Sequence, residues 1–270
     1  MNELACQFGE HRRLAGIFTE PQAPEPRTAC VLVNAGLVPK LGPFRLYVEL
    51  ARRLARDGAL TLRFDLGGIG DSQPGLPGLP LRERTAADLR AAAAEVRRRY
   101  PSVQEVIVGG LCSGAEDAFR YAEEDPGVTG VVLIDPFSYR TAGWQWRYTA
   151  YRAVRRTLRA AGLYEPIVAA PAATVDGAPR RVVSYKYMEH PESSRILRAL
   201  IARGARAHFI YTGGQQSSFN HKGQLARMFE DIPFEGRVTV DYFAHMDHTQ
   251  LLDADRQTVA DAISAWLADR

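Results

Sequence analysis

Short β-branched runs alternate with stretches of helical apolar spacing along much of the 270-residue chain. Runs at Cys30–Asn34, Leu60–Asp65, Val103–Gly109 and Val128–Asp135 have the length and composition of buried strands. Between them, apolar residues recur at helical intervals over about 45–57, 82–100 and 114–124. Strands alternating with helices predict an α/β fold built on a mostly parallel, doubly wound sheet. Residues 4–18 read as an opening hairpin, and Pro21, Pro24 and Pro26 then mark a loop, because proline cannot donate to a central ladder. After Asp135 the rhythm breaks for about 70 residues before resuming with Ala207–Tyr211, a polar loop, Arg237–Phe243 and a closing helix at about 252–268. A single domain over 1–270 is expected, with a helical cap inserted at about 137–205, between the sixth and seventh strands. The Pro/Gly-rich segment 73–80 reads as a loop within that domain.

A hydrophobic content of 46% supports a large core. The formal charge of +3 is too small to point to nucleic acid, and no basic stretch is interleaved with aromatics as in single-strand binders. Cys6, Cys30 and Cys112 are odd in number and widely spaced, which argues against both a disulfide framework and a zinc site. The first residues lack a basic region followed by an apolar one, and no run approaches about 18 apolar residues. A cytoplasmic protein with no transmembrane segment, metal or cofactor is the expectation.

The chemistry concentrates at Val106-Ile-Val-Gly-Gly-Leu-Cys-Ser-Gly-Ala115, where an apolar run stops at glycines, presents a cysteine and passes into a helical pattern. In a nucleophile elbow the reactive residue sits in a strained turn between strand and helix, so the positions two before and two after it must lack bulk. Gly110 and Gly114 bracket Cys112 in this way, whereas a nucleophile at Ser113 would put Leu111 in the crowded position. The predicted nucleophile is therefore a thiol. Thiols are partly ionised near neutral pH, and a neighbouring imidazole or helix N-terminus generally favours the thiolate, so a Cys-His pair makes a good acyl acceptor. The bland alternative is a small, unreactive packing cysteine.

With its elbow on the fifth strand, the chain resembles the α/β-hydrolase superfamily over nearly its whole length. Val31-Leu-Val-Asn-Ala-Gly-Leu37 is similar to the oxyanion loop after the third strand, Leu62-Arg-Phe-Asp-Leu-Gly-Gly-Ile-Gly-Asp-Ser72 to the loop after the fourth, and Asp247-His-Thr249 to the histidine loop. The pairing of Gly-Leu-Cys-Ser-Gly-Ala with Asp-His-Thr most resembles the exosortase-associated and serine-aminopeptidase-like hydrolases.

The resemblance implies His248 as the base, with His245, three residues away, as its competitor or as a residue lining the same pocket. It implies an acid after the seventh strand, but Thr212-Gly-Gly-Gln-Gln-Ser-Ser-Phe-Asn220 holds no carboxylate. Asp135, after the sixth strand, keeps the order nucleophile, acid, histidine and is preferred; the alternatives are Asp247, more often a residue that ties down its own loop, and a bare dyad oriented by Gln215 or Asn220. The oxyanion donors expected are the N–H of Ser113 and an N–H of Gly36 or Leu37. Asn34, Asp65, Asp71 and Ser72 are assigned to loop structure.

From Phe137 to Arg206 there are thirteen Arg or Lys and four Asp or Glu, a local +9. Trp144, Arg147, Tyr148 and His245 are the candidate substrate-binding residues. A basic, aromatic cap would suit an acyl chain beside phosphate, as in a thioester of coenzyme A or an acyl carrier protein, unless the arginines are simply a solvated helix face. Three readings compete: a cysteine-dependent hydrolase of esters or thioesters, an acyltransferase or cyclase using the same residues, and a hydrolase-fold binding protein without turnover.

Overall fold

The computed structural model describes residues 1–22, 25–75, 78–163 and 188–269. Eight strands run β1 (Asn2–Phe8), β2 (Leu14–Glu20), β3 (Thr28–Val33), β4 (Leu60–Phe64), β5 (Glu105–Leu111), β6 (Val128–Ile134), β7 (Arg206–Thr212) and β8 (Val238–Phe243). They form one sheet in the order β1-β2-β4-β3-β5-β6-β7-β8. β2 pairs antiparallel with both β1 and β4, and every other pairing is parallel. The α-helices are α1 (Leu46–Arg56), α2 (Leu81–Arg99), α3 (Ser113–Glu124), α4 (Trp144–Ala160), α5 (His190–Ala202), α6 (Gln224–Met228) and α7 (Asp253–Ala268). This is the α/β-hydrolase architecture. Among the described residues no helix is long and apolar enough to cross a membrane.

Strand side chains alternate between the two faces, so each buried strand feeds two cores. Val31 and Val33 of β3, Val106 and Val108 of β5, and Val131 and Leu133 of β6 join the core under α2, α3 and α5. Cys30, Leu32, Ile107, Leu111, Val132 and Ile134 face the other core, under α1 and α7. Each fully buried Leu, Ile or Val of this kind is worth about 1.5–3 kcal/mol relative to exposure.

β5 starts and ends two residues later than its apolar run predicts. The Val103 N–H closes a turn onto Tyr100 O at 3.0 Å, which delays the start. At the other end the parallel register continues through Leu111 opposite Ile134, carrying the strand to the residue before Cys112.

Of the stretch 137–205 expected as a cap, α5 belongs to the layers around the sheet: Ile196, Leu197 and Leu200 lie in the core. α4 projects, with Trp144 as its buried residue. Residues 164–187 of that stretch lie outside the described residues.

Candidate active site

Cys112 stands between β5 and α3 with φ 56° and ψ −121°, a backbone region that costs a non-glycine residue about 1–3 kcal/mol. Its surroundings hold it there. The Cys112 N–H donates to Ile134 O at 2.8 Å, and its carbonyl accepts from the first turn of α3, at Ala115 and Glu116. The buried Tyr47 hydroxyl accepts from Leu111 N–H and donates to Val33 O, each at 2.8 Å, tying the ends of β5 and β3 together. A Cβ at Gly110 would meet Val33 O at 2.9 Å, and one at Gly114 would meet Asn34 O at 2.3 Å. Both flanking positions thus require glycine, which is why the motif can be read.

Asp135 follows β6 with φ 45° and is buried. Its Oδ1 accepts from Thr212 N–H at 2.7 Å; its Oδ2 accepts from the Thr212 hydroxyl at 2.6 Å and pairs with His248 Nδ1 at 2.8 Å. The Cys112 side chain lies close enough to His248 to favour a charge on its ring. Burial opposes a charge on the His248 ring, but the bond to Asp135 and the nearby Cys112 side chain outweigh it and raise its pKa from 6.5 to about 10. The structure therefore brings Cys112, His248 and Asp135 together, with the imidazole one-third exposed to solvent.

The remaining candidates separate. Asp247 accepts from Thr249 N–H at 2.8 Å and Leu251 N–H at 2.9 Å and so closes its own loop. Burial pushes its carboxyl up, and these bonds bring it below the usual value. Gln215 accepts from Ser218, and Asn220 donates to Trp144 O at 3.0 Å. His245 is 74% exposed, with Nε2 3.9 Å from Asp255 on α7. Asn34 donates to Val38 O at 2.7 Å and accepts from Leu66 N–H at 2.6 Å, bracing the loops after β3 and β4. Asp65 and Asp71 both bind Lys40, and Ser72 bonds Asp65 O and Ala15 N–H, so these three hold the second loop.

At the predicted oxyanion loop, Gly36 sits at φ 56° and its N–H donates to the Ser113 hydroxyl oxygen at 2.8 Å. Leu37 is 87% exposed beside it. On α4, Trp144 stacks on Tyr148 with ring centroids 4.9 Å apart, and Arg140 lies over the indole at 4.2 Å. Arg147 turns back against Gly143.

Sequence reasoning missed three supports of the site. Thr212 fixes both oxygens of Asp135. Gly214 lies directly under His248. Arg256 donates to Gln250 O and Leu251 O and pairs with Glu49 at 2.7 Å, pinning the histidine loop to α1. Only Thr212, a β-branched polar residue closing an apolar strand, carries a local signal; the other two depend on tertiary proximity. Among the described residues no group of three His, Cys, Asp or Glu is arranged to hold a metal ion.

The family model described as Serine aminopeptidase, S33, matches residues 25–190, a span that includes the elbow, Asp135 and α4. The chain belongs to that family. Serine names this aminopeptidase family, whereas the elbow here carries a thiol. No curated protein sequence matches. Solved structures share the fold at low identity. The esterase domain of a Rhodothermus marinus protein is 19% identical, with 98% of this chain and 96% of that one covered at a TM-score of 0.58. A Pyrococcus furiosus esterase is 12% identical over 99% and 91% of the two chains, at 0.63. An α/β serine hydrolase without lid from Xanthomonas campestris is 15% identical over 98% and 94%, at 0.56.

Proposed function

We propose that this serine aminopeptidase family member is a cysteine-dependent acyl hydrolase, acting on an ester or thioester through a covalent acyl-enzyme. The observation that carries the reading is Asp135 Oδ2 holding His248 Nδ1 at 2.8 Å, with the ring's charge favoured by the Cys112 side chain nearby. His248 takes the thiol proton, and the sulfur attacks the acyl carbonyl carbon. The C=O π pair moves onto oxygen, where the Ser113 N–H and the Gly36–Leu37 loop meet the charge. Collapse expels the alcohol or thiol, which leaves with the proton from His248. Water then enters, gives its proton to His248, attacks the thioester carbonyl and releases the acid and Cys112. Asp135 holds the ring in place and stabilises its charge throughout.

The α4 face suggests the substrate class. A groove of about 780 Å³ runs along it, lined by Trp144, Tyr148, Tyr151 and five arginines between Arg140 and Arg159, with no carboxylate among its described lining residues. Guanidinium groups stacked on aromatic rings suit phosphate beside an apolar chain, as in an acyl thioester of coenzyme A or of a carrier protein's phosphopantetheine arm. Tyr148 and Arg152 would contact such an arm, whereas Arg147, packed against Gly143, is not among the groove's lining residues.

The test is release of free thiol from a panel of acyl-CoA substrates and activated esters. Wild type turns over and Cys112→Ala does not. Turnover retained in Cys112→Ala would refute the thiol mechanism, and a product that incorporates an added amine or alcohol would make the protein an acyltransferase. Ligand binding without turnover in either protein would leave it a binding protein.

A further inference from the structure

Trp146, Val154 and Leu158 are exposed on α4, Trp146 by 82%, and none of them lines the groove described above. With Ala150 they recur at every fourth residue and so make one apolar stripe along the helix. The same 17-residue helix carries five arginines and no Asp or Glu. Arg156 and Arg159 are exposed on its neighbouring side. Two other loops add exposed apolar side chains: Leu41 and Phe44 after β3, and Leu252 after β8. β3, β6 and β8 all run parallel within the sheet, so these loops and the segment leading to α4 leave it at the end that bears Cys112, Asp135 and His248.

We propose that this face docks on an anionic lipid bilayer, with the α4 stripe seated at the headgroup boundary and Arg156 and Arg159 on lipid phosphates. A helix with Trp and aliphatic residues on one side and arginines on another has the make-up of one that lies in a membrane interface. An exposed tryptophan suits that depth, where its ring is half in the apolar layer and half in the wet one. Charge decides for lipid phosphate: residues 137–206 carry a local +9 in a chain of formal charge +3, so the remainder is net negative and an anionic surface attracts this side while repelling the rest. The active-site end is thereby turned toward the acyl chains. Docking does not rest on the thiol mechanism, and binding is read without turnover, so a failure of either is seen apart from the other.

Flotation with vesicles of phosphatidylcholine alone, and of phosphatidylcholine mixed with phosphatidylglycerol, tests the proposal. Wild type and Cys112→Ala should both float with the mixed vesicles, bind pure phosphatidylcholine at least about tenfold more weakly, and come off as salt is raised. Trp146→Gln combined with Val154→Gln should weaken binding by about tenfold or more through the lost apolar contact, and Arg156→Gln combined with Arg159→Gln by about as much through the lost charge. All four positions are exposed, so melting temperatures should stay within about 2 °C of wild type. Trp144 and Trp266 are buried, so lipids brominated on their acyl chains should quench Trp146 alone, and Trp146→Phe should abolish the quenching. No binding to the mixed vesicles, or binding that the α4 substitutions leave unchanged, would overturn the proposal. Self-association in buffer that the Trp146→Gln and Val154→Gln pair abolishes, without vesicle binding, would assign the stripe to a second copy of the chain. Binding of an acidic acyl carrier protein, again without vesicle binding, would assign it to a protein partner.

Discussion

Gly214 underlies His248 so closely that a β-carbon there would fall 2.5 Å from the His248 backbone nitrogen and 2.7 Å from its Cβ. No carboxylate side chain can stand at that point after β7, and the partner of the ring comes from the neighbouring strand end, at Asp135. Gly214→Ala should displace the histidine loop, cost about 1–3 kcal/mol as overpacked sites do, and lower activity by more than the stability loss accounts for. Denaturant melts alongside turnover check this; an alanine variant with wild-type activity would show that the loop yields freely.

Asp135 is held by Thr212 on both oxygens, so the pair should act as a unit. Asp135→Asn is expected to lower kcat/KM by about 100-fold or more, less than in a serine enzyme because a thiol depends less on the acid. Thr212→Val removes one of the two bonds and should cost about tenfold, with the double variant no worse than Asp135→Asn alone. Additive losses in the double variant would contradict the coupling.

The raised pKa of His248 has a signed consequence for stability. Its imidazolium is favoured in the folded protein, from 6.5 up to about 10, so its contribution is fully present below about pH 6.5 and fades as pH climbs toward 10. The stability difference between wild type and His248→Gln should therefore shrink as denaturation is repeated from pH 6 through pH 10. A difference that grows over that interval would mean that the ring is held neutral.

The three thiols should differ in reactivity. Burial pushes Cys6 up to about 11, aided by Glu95, and pushes Cys30 up to about 12. At pH 8 a thiol with such a pKa is ionised to about one part in a thousand or less. Iodoacetamide at limiting concentration should mark Cys112 first, as read by peptide mapping; earlier labelling of Cys6 would argue that Cys112 is shielded or unactivated.

Much of the fold is legible in the chain because buried parallel strands leave continuous β-branched runs, and the helices between them leave apolar stripes. The elbow is legible for a sharper reason: the approach of Val33 O and Asn34 O excludes side chains at Gly110 and Gly114. The partner of the imidazole is ambiguous in sequence because Asp135 and His248 stand 113 positions apart and meet only through the pairing of β6 with β7 and of β7 with β8. Gly214 and Arg256 escape notice for the same reason, since each acts on a segment distant in sequence or through backbone alone, and Thr212 offers only its polar β-branched side chain at a strand end as a local sign. The loop read as an oxyanion loop likewise conceals that its Gly36 amide donates to the Ser113 hydroxyl.

Intact-mass analysis of wild type and Cys112→Ala, each mixed with acyl-CoA thioesters and activated esters and sampled over time, tests the thiol nucleophile most directly. A transient increase equal to the acyl group, present in wild type, absent in Cys112→Ala and mapped to the peptide bearing Cys112, is the expected result. An acyl adduct that persists in Cys112→Ala, or turnover that does, would contradict it.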